Sequence, residues 1–188
     1  ICALSRIIEK DITAAWQSIK TAAKPRIHTF VGTSDVHIIG ITRSDRKTIL
    51  GRTVEAVAYA RSLCESVEFS PMDAARTESN YLFEVIESAI EAGAKIVNDV
   101  SSLTKDTSSI EIIKKSNVAI VLMHSLDDPK LMQVNPKYDD VVSEVFSYLK
   151  ERVDYCIQNG ISQDRIIVDP GIGFGKTVIH NLKLLKNI

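Results

Sequence analysis

Six short apolar runs recur along the chain, and their regular spacing constrains the fold more than any other feature of the sequence. Each run is rich in Ile and Val, is too short for a helix and is bounded by polar turn residues. Such runs are typical of strands buried on both faces. The six are Ile1 to Leu4, Ile27 to Val31, Val67 to Phe69, Lys95 to Val100, Val118 to Met123 and Arg165 to Val168.

The segments between these runs carry apolar residues three and four positions apart, as in Leu82, Val85, Ile86 and Ala89, which predicts amphipathic helices. Regular alternation of strand and helix favours a parallel sheet with right-handed crossovers. Six units in 188 residues average about 31 residues each, a size typical of the eight-unit (β/α) barrel of ~250 residues. The sequence therefore predicts an α/β protein, a partial TIM-type (β/α) barrel of about six parallel strand–helix units.

Charge and hydropathy exclude several classes of partner. The net charge of -1 and the lack of a Lys/Arg cluster argue against nucleic acid or an anionic membrane, so a small polar substrate remains. No apolar run approaches the ~20 residues of a membrane span, and no signal peptide is recognisable, so we expect a cytoplasmic protein. Cys2, Cys64 and Cys156 are too scattered for a disulfide framework or a CxxC metal site.

Both ends of the chain run through apolar segments without a start Met or a helix stop signal, so we expect a fragment of a longer barrel. Six strands cannot close a barrel whose geometry suits eight, which predicts exposed edge strands at Ile1 to Leu4 and at Arg165 to Val168. We therefore expect self-association through these edges.

The strongest local motif is RIIVDPGIGFGKT, residues 165–177. An apolar strand ends at Asp169, three alternating glycines follow, and Lys176 precedes a helix, an arrangement that can bind an anion. The motif is neither a P-loop, because Pro170 replaces the first glycine, nor a dinucleotide fingerprint, because Lys176 replaces the third. Asp169 either meets a donor-rich ligand or caps the glycine turn.

Two other predicted strands end in polar or polarizable side chains. Asn98 could read the edge of a heterocycle, or Asn98 and Asp99 could form an Asx turn. Met123 could line a pocket, and His124 has no second His or Cys at a ligand spacing, so no metal site is predicted. The loop from His124 to Tyr138 is either a lid or an ordinary surface excursion.

From about Ala94 to Ile188 the chain resembles dihydropteroate synthase, the pterin-binding enzyme of folate biosynthesis. The matching stretches are KIVNDVSSL, VLMHSLDDPKLMQ, NPKYDDVVSEV and RIIVDPGIGFGKTVIHNLKLL. The resemblance implies a transferase that joins p-aminobenzoate to a dihydropterin methyl diphosphate, with loss of pyrophosphate and a magnesium ion on the leaving group.

Carried over position by position, the same resemblance implies that Asn98 and Asp169 hydrogen-bond the pterin ring and that Met123 lines its pocket. Asp169 and Lys176 are the residues it assigns to catalysis. The residues placed around the pterin and the p-aminobenzoate approach are Gly173, Phe174 and Lys176. The ligands of the implied magnesium ion are absent from this chain.

From Ile1 to about Ala94 the chain resembles the catalytic barrel of 2-isopropylmalate synthase, which condenses acetyl-CoA with a 2-oxo acid at a divalent metal. The matching stretches are CALSRIIEKDI, PRIHTFVGTSDVH, VEAVAYARSL, VEFSPMDAARTE and EVIESAIEAGA. The resemblance places His28 and Thr29 at a strand end, facing the 2-oxo acid, with Arg6 and Ser70 nearby. The metal-binding Asp of the RDG motif and the HxH pair are missing.

The sequences of both families are almost identical over the segment that corresponds to Ala89 to Lys95. This predicts a chimera with halves 1–94 and 95–188 joined in one continuous fold. Three functions remain open. The first is a pterin-binding, dihydropteroate-synthase-like site with much reduced catalysis, because lost charge-stabilising groups cost ~10²–10³ in rate each. The others are a barrel scaffold without a substrate and a residual 2-isopropylmalate synthase fragment.

Overall fold

The computed structural model describes residues 1–104, 108–126 and 134–188. Six parallel strands form one sheet in the order of the sequence, so each strand pairs with the next one along the chain. Helices alternate with the strands, and the predicted partial (β/α) barrel is confirmed. The strands are β1 (Cys2–Arg6), β2 (Arg26–Gly32), β3 (Val67–Met72), β4 (Ile96–Asp99), β5 (Ala119–Met123) and β6 (Ile166–Asp169).

Helices cover one face of the sheet. They are α1 (Glu9–Ile19), α2 (Asp35–Gly40), α3 (Arg46–Leu63), α4 (Ser79–Glu91), α5 (Ser108–Lys115), α6 (Val141–Gln158) and α7 (Val178–Lys186). Several begin at a side-chain cap that accepts a backbone N–H, as Asp45 does from Thr48 and Thr177 does from His180. Among the described residues, none of these helices combines the length and the apolar content needed to cross a bilayer.

Strand β3 is longer than predicted and includes Pro71, which pairs with Val31. Proline is rare in inner strands because it has no N–H to donate. In the ladder between β3 and β4, Glu68 pairs with Ile96 and Phe69 pairs with Val97. Pro71 lies beyond the end of this ladder, so its missing N–H removes no hydrogen bond between β3 and β4. The short helix α2 was also not predicted, since its six residues are too few to show a helical period.

Helix α4 joins the two halves of the core. Its Tyr81, Val85 and Ala89 pack into the apolar core around β2, α1 and α3. Its Leu82 and Ile86, one position further around the helix, pack into the core that contains β5 and α5. A single helix therefore belongs to both cores, and the sheet and the cores run without a break past residue 94.

The face of the sheet opposite the helices is called the inner face; it carries the side chains of His28, Glu68, Asn98, Met123 and Asp169. Alternation along each strand puts neighbours such as Thr29 and Phe69 among the helices, where both are fully buried. Within the described chain, β1 and β6 are the two edges of the sheet. The exposed apolar side chains on α7, next to β6, are Val178, Ile179, Leu182 and Leu185.

Candidate functional site

Three of the predicted site residues meet at the carboxyl end of the inner face. Asp169 and Met123 are the last residues of β6 and β5 and lie opposite one another in the register, while Asn98 lies level with Val121. Neighbouring strands are ~4.8 Å apart, so the backbones of Asn98 and Asp169 are separated by about two strand spacings across the sheet and by two residues along it. This end of the sheet is where parallel α/β barrels build their ligand sites.

The side chains of His28 and Thr29 lie on opposite faces of the sheet. His28 lies on the inner face, but near the middle of β2 rather than at its end, two residue levels deeper than Asn98. Thr29 points to the helices, is fully buried and donates its hydroxyl to the carbonyl of Glu68. Of the two residues nearby, Ser70 contacts His28, whereas Arg6 forms an exposed ion pair with Asp11.

Glu68 is an inner-face residue that the motif analysis did not single out. It is 5% exposed and accepts hydrogen bonds from the Arg26 guanidinium at 3.1 Å and from the Asn98 amide at 2.9 Å. The His28 Nδ1 atom lies 3.4 Å from its Oε1. A glutamate inside the apolar run VEF is the signal that could have revealed it, because buried carboxylates need partners.

The Asn98 contact links the two halves of the chain at the site. Its Nδ2 donates to Glu68 of the first half, so the Asn98 amide is oriented before any ligand binds. Its neighbour Asp99 has a different task, because it accepts from the backbone N–H groups of Ser101 and Leu103. Asp99 thus forms the turn that follows β4, while Asn98 faces the inner side.

Asp169 holds the first residue of the glycine turn. Its Oδ1 accepts the backbone N–H of Gly171 at 2.7 Å, and within the described part of the chain no group donates to its Oδ2. Gly171, Gly173 and Gly175 all have positive φ, at 67°, 87° and 64°. Asp169 therefore caps the turn with one of its two carboxylate oxygens.

Two predicted residues of the turn, Gly173 and Phe174, lie at its surface. The N–H of Gly173 donates to the side chain of Asn181 on α7 at 3.0 Å. The ring of Phe174 is 37% exposed at the rim of the carboxyl end. Both residues can therefore border a ligand without being part of the apolar core.

Lys176 is 4% exposed and its ammonium group sits inside the turn. Nζ lies 3.0 Å from His124 Nδ1, 3.3 Å from the His124 carbonyl, 3.0 Å from the Gly171 carbonyl and 2.9 Å from the Phe174 carbonyl. We call this arrangement the lysine cage. It ties the glycine turn to the end of β5.

Burial sets the charge states in the lysine cage. Desolvation lowers the pKa of Lys176 to about 8, although the nearby Asp169 carboxylate favours the charged form. Desolvation, and then the Lys176 charge, lower the pKa of His124 to about 4. At neutral pH Lys176 is therefore a cation and His124 is neutral, with Nδ1 accepting from the ammonium group and its proton on Nε2.

The predicted lid, His124 to Tyr138, lies partly outside the described residues, which stop at 126 and resume at 134. On the far side of that loop, the Tyr138 hydroxyl donates to the Gly175 carbonyl at 2.9 Å. The rings of His124 and Tyr148 pack edge to face with centroids 5.0 Å apart. These contacts pack the end of the loop against the lysine cage.

The described residues do not fit the implied magnesium ion. Mg²⁺ prefers a near-octahedral set of oxygen ligands. Glu68 is paired with Arg26, and one oxygen of Asp169 is held by the glycine turn. Among the described residues the convergent group of three metal-ligand side chains contains a thiol and an imidazole, which suit softer ions.

Two family models match the chain, and their ranges overlap. The model described as HMGL-like matches residues 1–122, and the model described as pterin binding enzyme matches residues 80–188. The overlap contains β4 and nearly all of α4, the helix that packs into both cores. The predicted double resemblance is confirmed.

Curated relatives and solved structures divide in the same way. A 2-isopropylmalate synthase of Microcystis aeruginosa is 42% identical over 144 residues, which cover 72% of this chain and 27% of that protein. The dihydropteroate synthase of Yersinia pestis in a sulfonamide drug complex superimposes with a TM-score of 0.76 at 24% identity, covering 99% of this chain and 67% of that one. The Xanthomonas albilineans enzyme, in complex with 7,8-dihydropteroate, has a TM-score of 0.72 at 23% identity, over 98% and 64%.

The sequence similarity and the structural similarity cover different shares of the chain. The chain spans about a quarter of the length of the curated relative that it matches. The structural likeness covers nearly the whole chain, including the half whose sequence matches 2-isopropylmalate synthase. At these identities the superpositions establish the fold, a barrel architecture that accommodates both sequence families.

Proposed function

Because the chain belongs to the HMGL-like family over residues 1–122 and to the pterin binding enzyme family over residues 80–188, we propose that it is a chimeric barrel with a pterin-binding site in its second half. The site lies at the carboxyl end of the inner face, among Asn98, Met123 and Asp169. Its catalysis as a dihydropteroate-synthase-type transferase is much reduced.

The observation that carries the proposal is the state of Asp169. One of its oxygens is held by Gly171, while the other has no donor among the described residues. A pterin ring presents adjacent N–H and amino donors along one edge, which a carboxylate oxygen at a strand end can accept. Met123 supplies a polarizable apolar wall and Asn98 a second polar contact.

Reduced catalysis follows from the lysine cage and from the metal ligands. The Lys176 ammonium group contacts three backbone carbonyls and His124. Its charge therefore stabilises the turn rather than a leaving diphosphate. The described residues also offer no oxygen cluster for magnesium. Each missing electrostatic contact to a developing charge costs ~10²–10³ in rate.

Asp169→Asn is expected to weaken the binding of a dihydropterin at least about tenfold, since one lost charged hydrogen bond is worth ~1.4 kcal/mol or more. The thermal midpoint should change little, because the Asn side-chain oxygen can still accept the Gly171 N–H. Titration calorimetry measures the affinity, and a thermal melt of the same sample measures the stability.

The matched control is Asp164→Asn, which removes an exposed carboxylate just before the opposite end of β6 and should leave the affinity unchanged. Unchanged affinity of Asp169→Asn would reject the assignment of Asp169. No dihydropterin binding by the parent chain would reject the proposed site and favour a scaffold without a substrate. Turnover at a rate typical of dihydropteroate synthases would contradict the reduced catalysis.

Self-association accompanies this proposal, because the edge strand β6 and the helix α7 that follows it both expose apolar side chains. Leu182 and its neighbours on α7 are exposed, as is Val168 of β6. A second copy would bury these side chains at ~25 cal/mol per Å² of apolar area. Leu182→Lys is therefore expected to lower the average mass seen by light scattering at micromolar concentration.

The control for this prediction is Val36→Lys, which adds the same charge at an exposed apolar position on α2. It should leave the mass unchanged. A parent chain that is monomeric at all micromolar concentrations would contradict the expected association.

A further inference from the structure

Three metal-ligand side chains meet on the inner face, away from the glycine turn. They are Cys2 of β1, His28 of β2 and Glu68 of β3, one from each of three adjacent strands. The Cys Sγ, a His ring nitrogen and a Glu oxygen all lie within 4.8 Å of one another. No sequence motif announces this group, because its members are 26 and 40 residues apart.

The spacing of two of these atoms matches that of ligands on one metal ion. His28 Nδ1 lies 3.4 Å from Glu68 Oε1. Two nitrogen or oxygen ligands at ~2.0–2.1 Å from a tetrahedral zinc ion are roughly 3.3 Å apart, and a thiolate at ~2.3 Å is roughly 3.6 Å from each of them. The sulfur of Cys2, on the edge strand, lies within 4.8 Å of a His28 ring nitrogen and of a Glu68 oxygen, so a small shift completes the three.

Hydrogen bonds from neighbouring side chains hold His28 and Glu68 in place. The Nε2 atom of His28 lies 2.7 Å from the Ser70 hydroxyl, a contact that holds the ring and turns Nδ1 toward Glu68. Asn98 donates to Glu68 Oε1 at 2.9 Å and fixes the carboxylate plane. Ligating imidazoles and carboxylates are held in this way in metal sites.

We propose that Cys2, His28 and Glu68 bind one zinc ion, with the fourth position open to water. A thiolate with an imidazole and a carboxylate suits zinc, whereas magnesium prefers oxygen ligands alone. Cys2 is exposed, which provides an entry path for the ion. The zinc ligands lie deeper on the inner face than the proposed pterin site, and Asn98 is the residue that the two sites share.

Arg26 competes with a metal ion for the carboxylate of Glu68. Its guanidinium pairs with Glu68 Oε2 at 3.1 Å and places a positive charge beside the ligands. A metal ion must share the carboxylate with that charge. Removing the charge therefore strengthens zinc binding, whereas removing a ligand weakens it.

The first test uses the unaltered chain. Titration of the metal-free protein with zinc against a chromophoric chelator is expected to show one ion per chain. With cobalt in place of zinc, a thiolate-to-metal charge-transfer absorption in the near ultraviolet is expected. Failure to bind one ion, or binding without that absorption, overturns the proposal without any variant.

The second test assigns the ligands. Cys2→Ser and His28→Gln are each expected to weaken zinc binding at least about tenfold, since losing even a hydrogen-bond partner of a ligand costs about 10–100-fold. His180→Gln, which removes an imidazole on α7, is the control and should not change the affinity. Arg26→Gln should strengthen binding severalfold.

Far-ultraviolet circular dichroism of each variant shows that the fold is retained. Equal zinc affinity in Cys2→Ser, His28→Gln and the parent chain overturns the site. Weaker binding in Arg26→Gln overturns the competition. Loss of dihydropterin binding with normal zinc binding would reject the pterin proposal alone.

Discussion

Replacing Gly171 with alanine is expected to lower the free energy of unfolding by at least about 3 kcal/mol. A Cβ atom at Gly171 would lie 1.9 Å from the His124 carbonyl oxygen, and the φ of 67° is itself unfavourable for alanine. Backbone must move to relieve that overlap. Because Lys176 bonds the carbonyls of both Gly171 and His124, the movement would also loosen the lysine cage.

Gly173→Ala is the matched control for this prediction. Gly173 also has a positive φ, at 87°, but a Cβ there would meet no atom within 4 Å. Its substitution should therefore cost only the conformational penalty, about 1–2 kcal/mol. Urea denaturation of the two variants and the parent chain measures the difference, and equal losses for Gly171→Ala and Gly173→Ala would contradict the role of the close approach.

Acid is expected to destabilise the protein between about pH 6.5 and pH 4, by up to about 3 kcal/mol, through the single imidazole of His124. Burial lowers the pKa of His124 in the folded chain to about 4, whereas an unfolded chain protonates it near 6.5. In that window the unfolded state binds more protons. The free energy of unfolding therefore falls as the pH falls.

Lys176 makes the free energy of unfolding change with pH in the same direction, but in the alkaline range. Its pKa of about 8 in the folded chain lies below the ordinary lysine pKa of 10.5, so the unfolded state again binds more protons between these values. Stability should consequently rise as the pH increases from about 8 toward 10.5. Below pH 8 the ammonium group is charged. Its burial in the lysine cage costs desolvation free energy, which its hydrogen bonds to the carbonyls offset.

His124→Asn isolates the acidic part of this curve. Asparagine keeps an oxygen that can accept from Lys176 Nζ but does not titrate. Urea midpoints measured from pH 7 to pH 4 should fall less steeply in this variant than in the parent chain. Parallel curves for His124→Asn and the parent chain would contradict the assignment.

Both predictions bear on how the site is built. The glycine turn holds Asp169 through the Gly171 N–H, and the lysine cage holds the turn against the end of β5. Lys176 thus acts on Asp169 through the backbone. This is a role that the resemblance to dihydropteroate synthase did not suggest.

The strand ends show how far local pattern predicts a site. Asn98, Met123 and Asp169 could be identified from the sequence because each stands at or near the end of a buried run, and the ends of parallel strands meet at one edge. His28 and Thr29 could not be placed in the same way, because adjacent strand residues point to opposite faces. Only the register between β2 and β3 shows that His28 faces Glu68.

The sequence by itself determined the alternation of strands and helices, the barrel class and the membership in two families, because these depend on periodicities and motifs within short segments. Tertiary structure alone decided which side chains share the inner face. Arg26, Glu68 and Asn98, for example, are separated by up to 72 residues yet form one network. Such contacts depend on strand register and on the burial of each partner, and no local pattern of residues encodes either.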